Sequence, residues 1–249
     1  MNYSIRLCEK REELEACVRV QKEIWDYSDR DLYPLRLFVN LNQIGGHVIG
    51  AFTADDDLVG FVAAMPAWRG GQRYLHSLSL GVVSGHENKG LGRVLKLAQR
   101  EEALRNGIDC IEWTFDPLRA KNAHLNIVRL GALTRRYLAD YYGEVDSRLQ
   151  QGLVSDRLVA EWWLQSQRVK RALGGSPPRN TKSKPAAEVE IPADIASLLA
   201  SNPQEARTRQ LAIREELQKH FAAKLVVTDF VDTQDSARYL LDPYEDQSR

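Results

Sequence analysis

The sequence predicts a mixed α/β protein, a central sheet flanked by helices with a smaller C-terminal strand-helix-strand addition. Three observations carry that reading. Strand-length apolar runs and amphipathic helical patterns follow one another from about residue 4 to residue 164. A polar loop with two glycines joins a strand to a strong helix within Ser84–Leu104. Residues 171–187, rich in Gly, Pro, Ser and Lys, then interrupt the pattern. The expected organisation is a core over 1–170, a linker or surface loop over 171–187, and an addition over 188–249. One helix and two short strands bury too little surface to stand alone, so the addition should pack on the core.

The elements follow in order. Ile5–Cys8 is a short apolar run, and residues 12–25 have an apolar helical face at Leu14, Cys17, Val18, Val20, Gln21 and Ile24. Pro34 can open a short helix to Leu41, which "IGGH" ends. Residues 47–68 read as a hairpin about the polar turn "ADDD", and "YLHSLSLGVV" as the next strand, with Tyr74, His76, Leu78, Leu80 and Val82 on one face. The helix from Gly90 to Gly107 places Leu91, Val94, Leu95, Ala98 and Leu104 inward. "IDCIEWTF" is a strand, Pro117 to Gly131 a helix, and 133–145 and 155–164 two more strands. After the linker come a strand at "VEIP", a helix over 202–223, the strand "KLVVTDFV" and a frayed tail at "DPYEDQSR".

Composition excludes several classes. Apolar residues make up 43% and charged residues 27%, as in a water-soluble globular protein. Lys+Arg and Asp+Glu balance at 34 each, which argues against a nucleic-acid or membrane-surface partner. Cys8, Cys17 and Cys110 are odd in number and lack metal-ligand spacing, so they read as reduced core thiols and no metal site is expected. The charged start is unlike a secretory signal, and no apolar run is of spanning length, so a cytoplasmic location is expected. Assembly as a homodimer stays open.

The glycine loop carries the first chemistry. A helix start presents unpaired N–H groups and the positive end of the dipole. Gly90 and Gly92 let an anion reach the backbone, Asn88 tolerates left-handed geometry, and Lys89 and Arg93 add charge. Residues Asn88, Lys89, Gly90, Leu91, Gly92 and Arg93 can therefore hold a phosphate. Neither a P-loop nor a dinucleotide fingerprint is present. A tight strand-to-helix turn is the plainer alternative.

The order of elements and the stretch "ENKGLG" resemble the GNAT acyltransferase superfamily, over about Ser4 to Leu164. "TFDPLRAKNAHLNIVRLGA" and the C-terminal addition resemble a less characterised branch of predicted acyltransferases. The resemblance implies a splayed sheet and acetyl-CoA or another acyl-CoA as co-substrate. The pantetheine arm would pair as an extra strand with Leu80, Val82 and Val83, and the pyrophosphate would meet Asn88 to Arg93. Glu87 stands where the family motif has Gln or Arg. An Asn facing the cofactor maps near Asn122; Asn122, Asn126 and Arg129 would share a helix face, cofactor-facing or solvated.

Acyl transfer to an amine needs a base for the ammonium and gains from an acid at the leaving thiolate. The glutamate that some relatives use falls at Leu78, and the usual tyrosine at Ile127. His76 and Glu112 are the candidate bases; a core histidine and a structural ion pair are the alternatives. Tyr137 and Tyr141, expected on one strand face, are the candidate acids, or else packing residues. Arg135, Arg136 and Arg157 could bind a substrate carboxylate. The expected activity is acyl-CoA-dependent N-acyltransfer, acetyl or succinyl, to a small amine or amino acid. A CoA-binding sensor module without catalysis is the competing reading.

Overall fold

The computed structural model describes residues 3–143, 152–179, 183–233 and 236–244. Contacts divide the chain into two units, the first ending at Trp113 and the second starting at Thr114.

In the first unit, β1 (Ser4–Leu7), β2 (His47–Phe52), β3 (Leu58–Arg69), β4 (Gln72–Val82) and the part of β5 (Cys110–Phe115) up to Trp113 lie side by side in chain order. The first three pairings are antiparallel and β4–β5 is parallel. Helices α1 (Arg11–Trp25) and α2 (Leu35–Gln43) join β1 to β2, and α3 (Leu91–Arg105) joins β4 to β5. The carboxylate of Glu13 accepts the N–H groups of Glu9 and Lys10 and so caps α1. Leu14, Cys17, Phe38 and Leu41 pack with Val48, Phe52, Phe61 and Ala63 on one face of the sheet. Leu91 and Leu95 pack with Ile49, Ala51, Val62 and Val83 on the other.

Two features of β4 shape the site. The β3–β4 ladder pairs Ala63 with Ser79 but Ala64 with Ser77, so Leu78 is an extra residue. This bulge breaks the simple alternation expected along β4. Leu80 and Val82 face the α3 cluster, whereas Leu78 packs into the α1–α2 cluster. In addition, β4 pairs with β5 only at Leu75–Ile111 and His76–Glu112. Beyond His76 the two strands part, which is the splay the resemblance implied.

The buried residues of α3 are Leu91, Leu95, Lys96, Gln99 and Ala103. Val94, expected inward, is 44% exposed. The i+4 steps from Leu91 define the inner face, and Lys96 and Gln99 fall on it.

The second unit departs more from expectation. The helix expected over 117–131 is a short α4 (Ala120–Ala123) running into a π-helical turn, His124–Arg129. Arg168 holds its end, donating to the carbonyls of Gly131 and Ala132. The strand expected over 133–145 shrinks to β6 (Tyr137–Leu138), while β7 (Arg157–Trp163) forms as expected. Residues 144–145 of that expected strand lie outside the described residues. Helix α5 (Gln167–Leu173) occupies the start of the expected linker, capped by Ser166. Among the described residues, the C-terminal addition has β8 (Ala187–Ile191), α6 (Ile195–Ser201), α7 (Pro203–Ala222), β9 (Leu225–Asp232) and β10 (Ala237–Pro243). It is therefore richer than a strand-helix-strand unit. Its sheet has the order β8-β10-β9, and β10 includes the start of the expected frayed tail. Among the described residues, no helix is long and apolar enough to cross a membrane.

Candidate active site

The site in the first unit is the fork between β4 and β5 and the loop that follows β4. In the β3–β4 ladder, the Val83 N–H donates to the Val59 carbonyl at 2.9 Å. Antiparallel ladders alternate bonded and non-bonded pairs. Val82 and Leu80, opposite Gly60 and Val62, therefore turn their backbone groups away from β3, toward the fork. Val83 does not: its N–H is used by Val59, and its carbonyl accepts from the His86 N–H at 3.1 Å. Of the three strand residues expected to pair a pantetheine arm, Leu80 and Val82 have the right direction and Val83 is already bonded.

The loop leads from Val82 to the start of α3. Gly85, Asn88 and Gly90 adopt left-handed backbones, with φ of 84°, 57° and 79°. The loop is pinned by the Tyr3 hydroxyl on His86 Nδ1 at 2.9 Å and by Lys89 Nζ donating to the Gly85 carbonyl. Gly90 is the N-cap of α3 and brings no side-chain acceptor. Gly90 therefore does not occupy the first-turn N–H groups with a side chain, and a helix start of this kind suits an outside acceptor. A Cβ on Gly92 would meet only Leu80 Cδ2, at 3.8 Å, an ordinary contact. Internal packing does not demand a glycine there, although glycine weakens a helix. Asn88, Lys89 and Gly90 are exposed, Leu91 is buried against the core, and Gly92 and Arg93 lie between.

On one face of the fork, His76 and Glu112 are opposite each other in the parallel ladder. Glu112 is buried and takes both ends of the Arg69 guanidinium, with Nη1 2.9 Å from Oε2. Arg69 also lies over the Tyr74 ring, 4.9 Å from its centroid. Glu112 is therefore a member of an ion pair, not a ready base. His76 is half-buried.

On the other face sits a cluster that sequence reasoning missed. Lys96 Nζ donates to Ser77 Oγ at 2.9 Å and to Gln99 Oε1 at 3.0 Å, and stands 3.8 Å from the Trp113 ring centroid. Lys96 is 1% exposed, and burial pushes its amine well below the usual lysine range. The only sign in the sequence is Lys96 beside Leu95, followed by Gln99, one turn on from Leu91.

Residues 11–125 match the family described as the acetyltransferase (GNAT) family. Over that stretch, somewhat under half of the chain, the sequence matches a GNAT acetyltransferase domain. Solved structures share the fold. The ribosomal-protein-S18-alanine N-acetyltransferase from Escherichia coli superposes with a TM-score of 0.52 at 14% identity, over 66% of this chain and 96% of that one. The yncA protein from Salmonella typhimurium, with its cofactor acetyl-CoA, gives 0.53 at 17% identity, over 67% and 96%. NAA60 from Arabidopsis thaliana in complex with acetyl-CoA gives 0.51 at 16% identity, over 65% and 98%. No curated protein sequence matches the chain.

The remaining GNAT-derived expectations fall in the second unit. Tyr137 and Tyr141 do not share a strand face, because β6 ends at Leu138 and Asp140 turns the chain with a φ of 45°. The Tyr137 hydroxyl donates to Asp156 Oδ2 at 2.6 Å, and burial together with that carboxylate pushes its pKa up. It is a poor proton donor. Tyr141 is 47% exposed and meets Tyr142 edge to face, with centroids 4.7 Å apart. Tyr142 reaches Thr114 Oγ1 at 2.9 Å. Asn126 is buried while Asn122 and Arg129 are exposed, so the expected common face is lost. The π-helical turn has more residues per turn than the i+4 spacing assumes. Ile127, where relatives carry tyrosine, is buried. Arg135 and Arg136 both pair with buried Glu161, and Arg157 lies over the Tyr142 ring. Two of these three arginines are thus structural partners.

Proposed function

We propose that this chain is an acyl-CoA-dependent N-acyltransferase that passes an acetyl or succinyl group to the amine of a small molecule or amino acid by direct attack. The observation that carries the reading is the fork. Beyond His76 the ladder between β4 and β5 ends, Leu80 and Val82 turn their backbones toward the gap, and a glycine loop leading into a helix start without a side-chain cap lies at its end. Leu80 and Val82 would pair the pantetheine arm, and the turn from Asn88 to Arg93 would take the pyrophosphate. Acyl-CoA supplies the activated carbonyl. His76 is the remaining candidate base at the fork, and Tyr141 the candidate acid. A cytoplasmic location belongs to the same proposal, supported by three free buried cysteines.

The proposal treats residues 1–170 as the acyltransferase core and 188–249 as an addition packed on it. Support comes from within the second unit. Tyr239 donates to the Pro117 carbonyl at 2.7 Å, Arg214 pairs with Asp156, and Thr134 bridges to Val227.

One set of observations favours a CoA-binding module without catalysis: Leu78 is apolar, Glu112 is ion-paired and Tyr137 is bonded to Asp156. Calorimetry with coenzyme A, followed by thiol release from acetyl- and succinyl-CoA against amines, amino acids and peptides with free N-termini, separates the readings. Binding with release supports the transferase. Binding without release on any acceptor supports the module. No binding overturns both.

A further inference from the structure

We propose that Lys96 is a positioning residue that braces the β4–β5 fork and so fixes where the acyl end of acyl-CoA comes to rest. The inference rests on the reading of the fork as the acyl-CoA site.

The last paired rung of the fork is His76–Glu112. The next residues on the two strands are Ser77 and Trp113, and successive side chains alternate between faces. Both turn toward α3, where Lys96 reaches them together: Ser77 Oγ at 2.9 Å and the Trp113 ring centroid at 3.8 Å. A single side chain from a covering helix thus touches both strands at the first step beyond their separation. Its third contact, Gln99 Oε1 at 3.0 Å, anchors the amine to its own helix. Moving Lys96 would move the root of the fork and leave its mouth, at Val82 and Gly90, in place.

The cluster is poorly arranged for stability. Lys96 has no carboxylate partner among the described residues, and a buried amine without one is costly. Gln99 Nε2 and His47 Nε2, both buried, have no hydrogen-bond partner among the described residues. His47 is on the same sheet face, in register with Ala64, which pairs with Ser77. Polar side chains kept in this condition under one rung of the sheet point to a role at that rung.

Calorimetry can separate the root of the fork from its mouth with two probes. The first is 3′-phospho-ADP, the nucleotide end of coenzyme A. The second is acetyl-CoA. In Lys96→Met, which keeps the chain length and removes the amine, affinity for 3′-phospho-ADP should stay within about two-fold while affinity for acetyl-CoA falls ~10-fold. The double variant Lys96→Met/Gln99→Leu removes the amide left without its donor, and should show the same selective loss if the single variant fails to fold. Equal loss for both probes in a folded variant, or no loss for acetyl-CoA, would overturn the proposal. Wild-type protein that binds neither probe would instead overturn the cofactor reading on which it stands.

Discussion

Lys96 in the first unit and Asp156 in the second are both buried groups that carry charge in water, 1% and 0% exposed, yet their surroundings differ in kind. Asp156 receives four donors: two from Arg214 at 2.8 and 2.9 Å, the Tyr137 hydroxyl at 2.6 Å and the Asp140 N–H at 2.9 Å. That fills the acceptor capacity of a carboxylate. Among the described residues Lys96 has two oxygen acceptors and a ring face, no ion-pair partner, and neighbours with unmet hydrogen bonds. A saturated network ties α7 to β6 and to the residue just before β7, and needs nothing further. An unsaturated one, at the β4–β5 fork, costs stability, and this is the contrast on which the positioning role proposed for Lys96 rests.

The largest effect should come from the saturated centre. Asp156→Ala leaves Arg214 without its carboxylate and should cost ~3–5 kcal/mol in urea unfolding. A loss under ~1 kcal/mol would break the comparison, because Asp156 would then be no better rooted than a surface residue. Next is His47, beside the unsaturated centre. Burial holds its imidazole down at about 4, against 6.5 in an ordinary setting. Between those values the unfolded chain binds the proton and the folded chain does not, so stability is lost as pH falls through that window. The loss should approach ~3 kcal/mol by pH 4, and His47→Gln should flatten the slope between pH 6.5 and 5, read by unfolding at each pH.

The two tyrosines sharpen the contrast. Tyr137→Phe should lower stability by ~1.5–3 kcal/mol, since it removes a bond to a charged group, with turnover changed by no more than a few-fold. Tyr141→Phe should leave stability within ~0.5 kcal/mol and lower turnover ~10-fold if its hydroxyl is the acid. The reverse pattern in paired melts and thiol-release assays would exchange their roles. A small change of opposite sign belongs to Gly92→Ala, which should stabilise α3 by ~0.5–1 kcal/mol because the backbone has room for the methyl. The same variant should weaken coenzyme A binding by ~10-fold if the pyrophosphate lies against that carbon. Tighter folding with unchanged binding would remove the loop from the site.

Much of the first unit could be read from residue pattern, because its strands and helices carry apolar periods bounded by Gly, Pro and Asp. The Gly90–Gly92 loop was legible as a strand-to-helix turn for the same reason, and Gly90 takes the left-handed backbone, with φ of 79°, that such a turn needs. The bulge at Leu78 was not, since a one-residue slip leaves composition unchanged and depends on pairing with β3. Lys96 was hidden because a lysine on an amphipathic helix normally belongs to the wet face. The pairing of Glu112 with Arg69 joins residues 43 apart in sequence, beyond any local signal. In the second unit, α5 and α6 have 7 residues each, too short for a helical period to register. In β10, Ala237, Tyr239 and Leu241 alternate clearly, but the polar run after them disguises the strand.

The order β8-β10-β9 has a consequence for how the C-terminal sheet is made. Its middle strand follows both of its neighbours in the chain. During synthesis β8 and β9 must wait as two unpaired strands until residues 237–243 leave the ribosome, and then all rungs of that sheet close together. A nascent chain stalled before residue 237 would present two open strand edges at once, each a template for pairing with another chain. Emergence of residues 237–243 would act as the latch of the sheet, and chaperone dependence should be concentrated in the interval just before it.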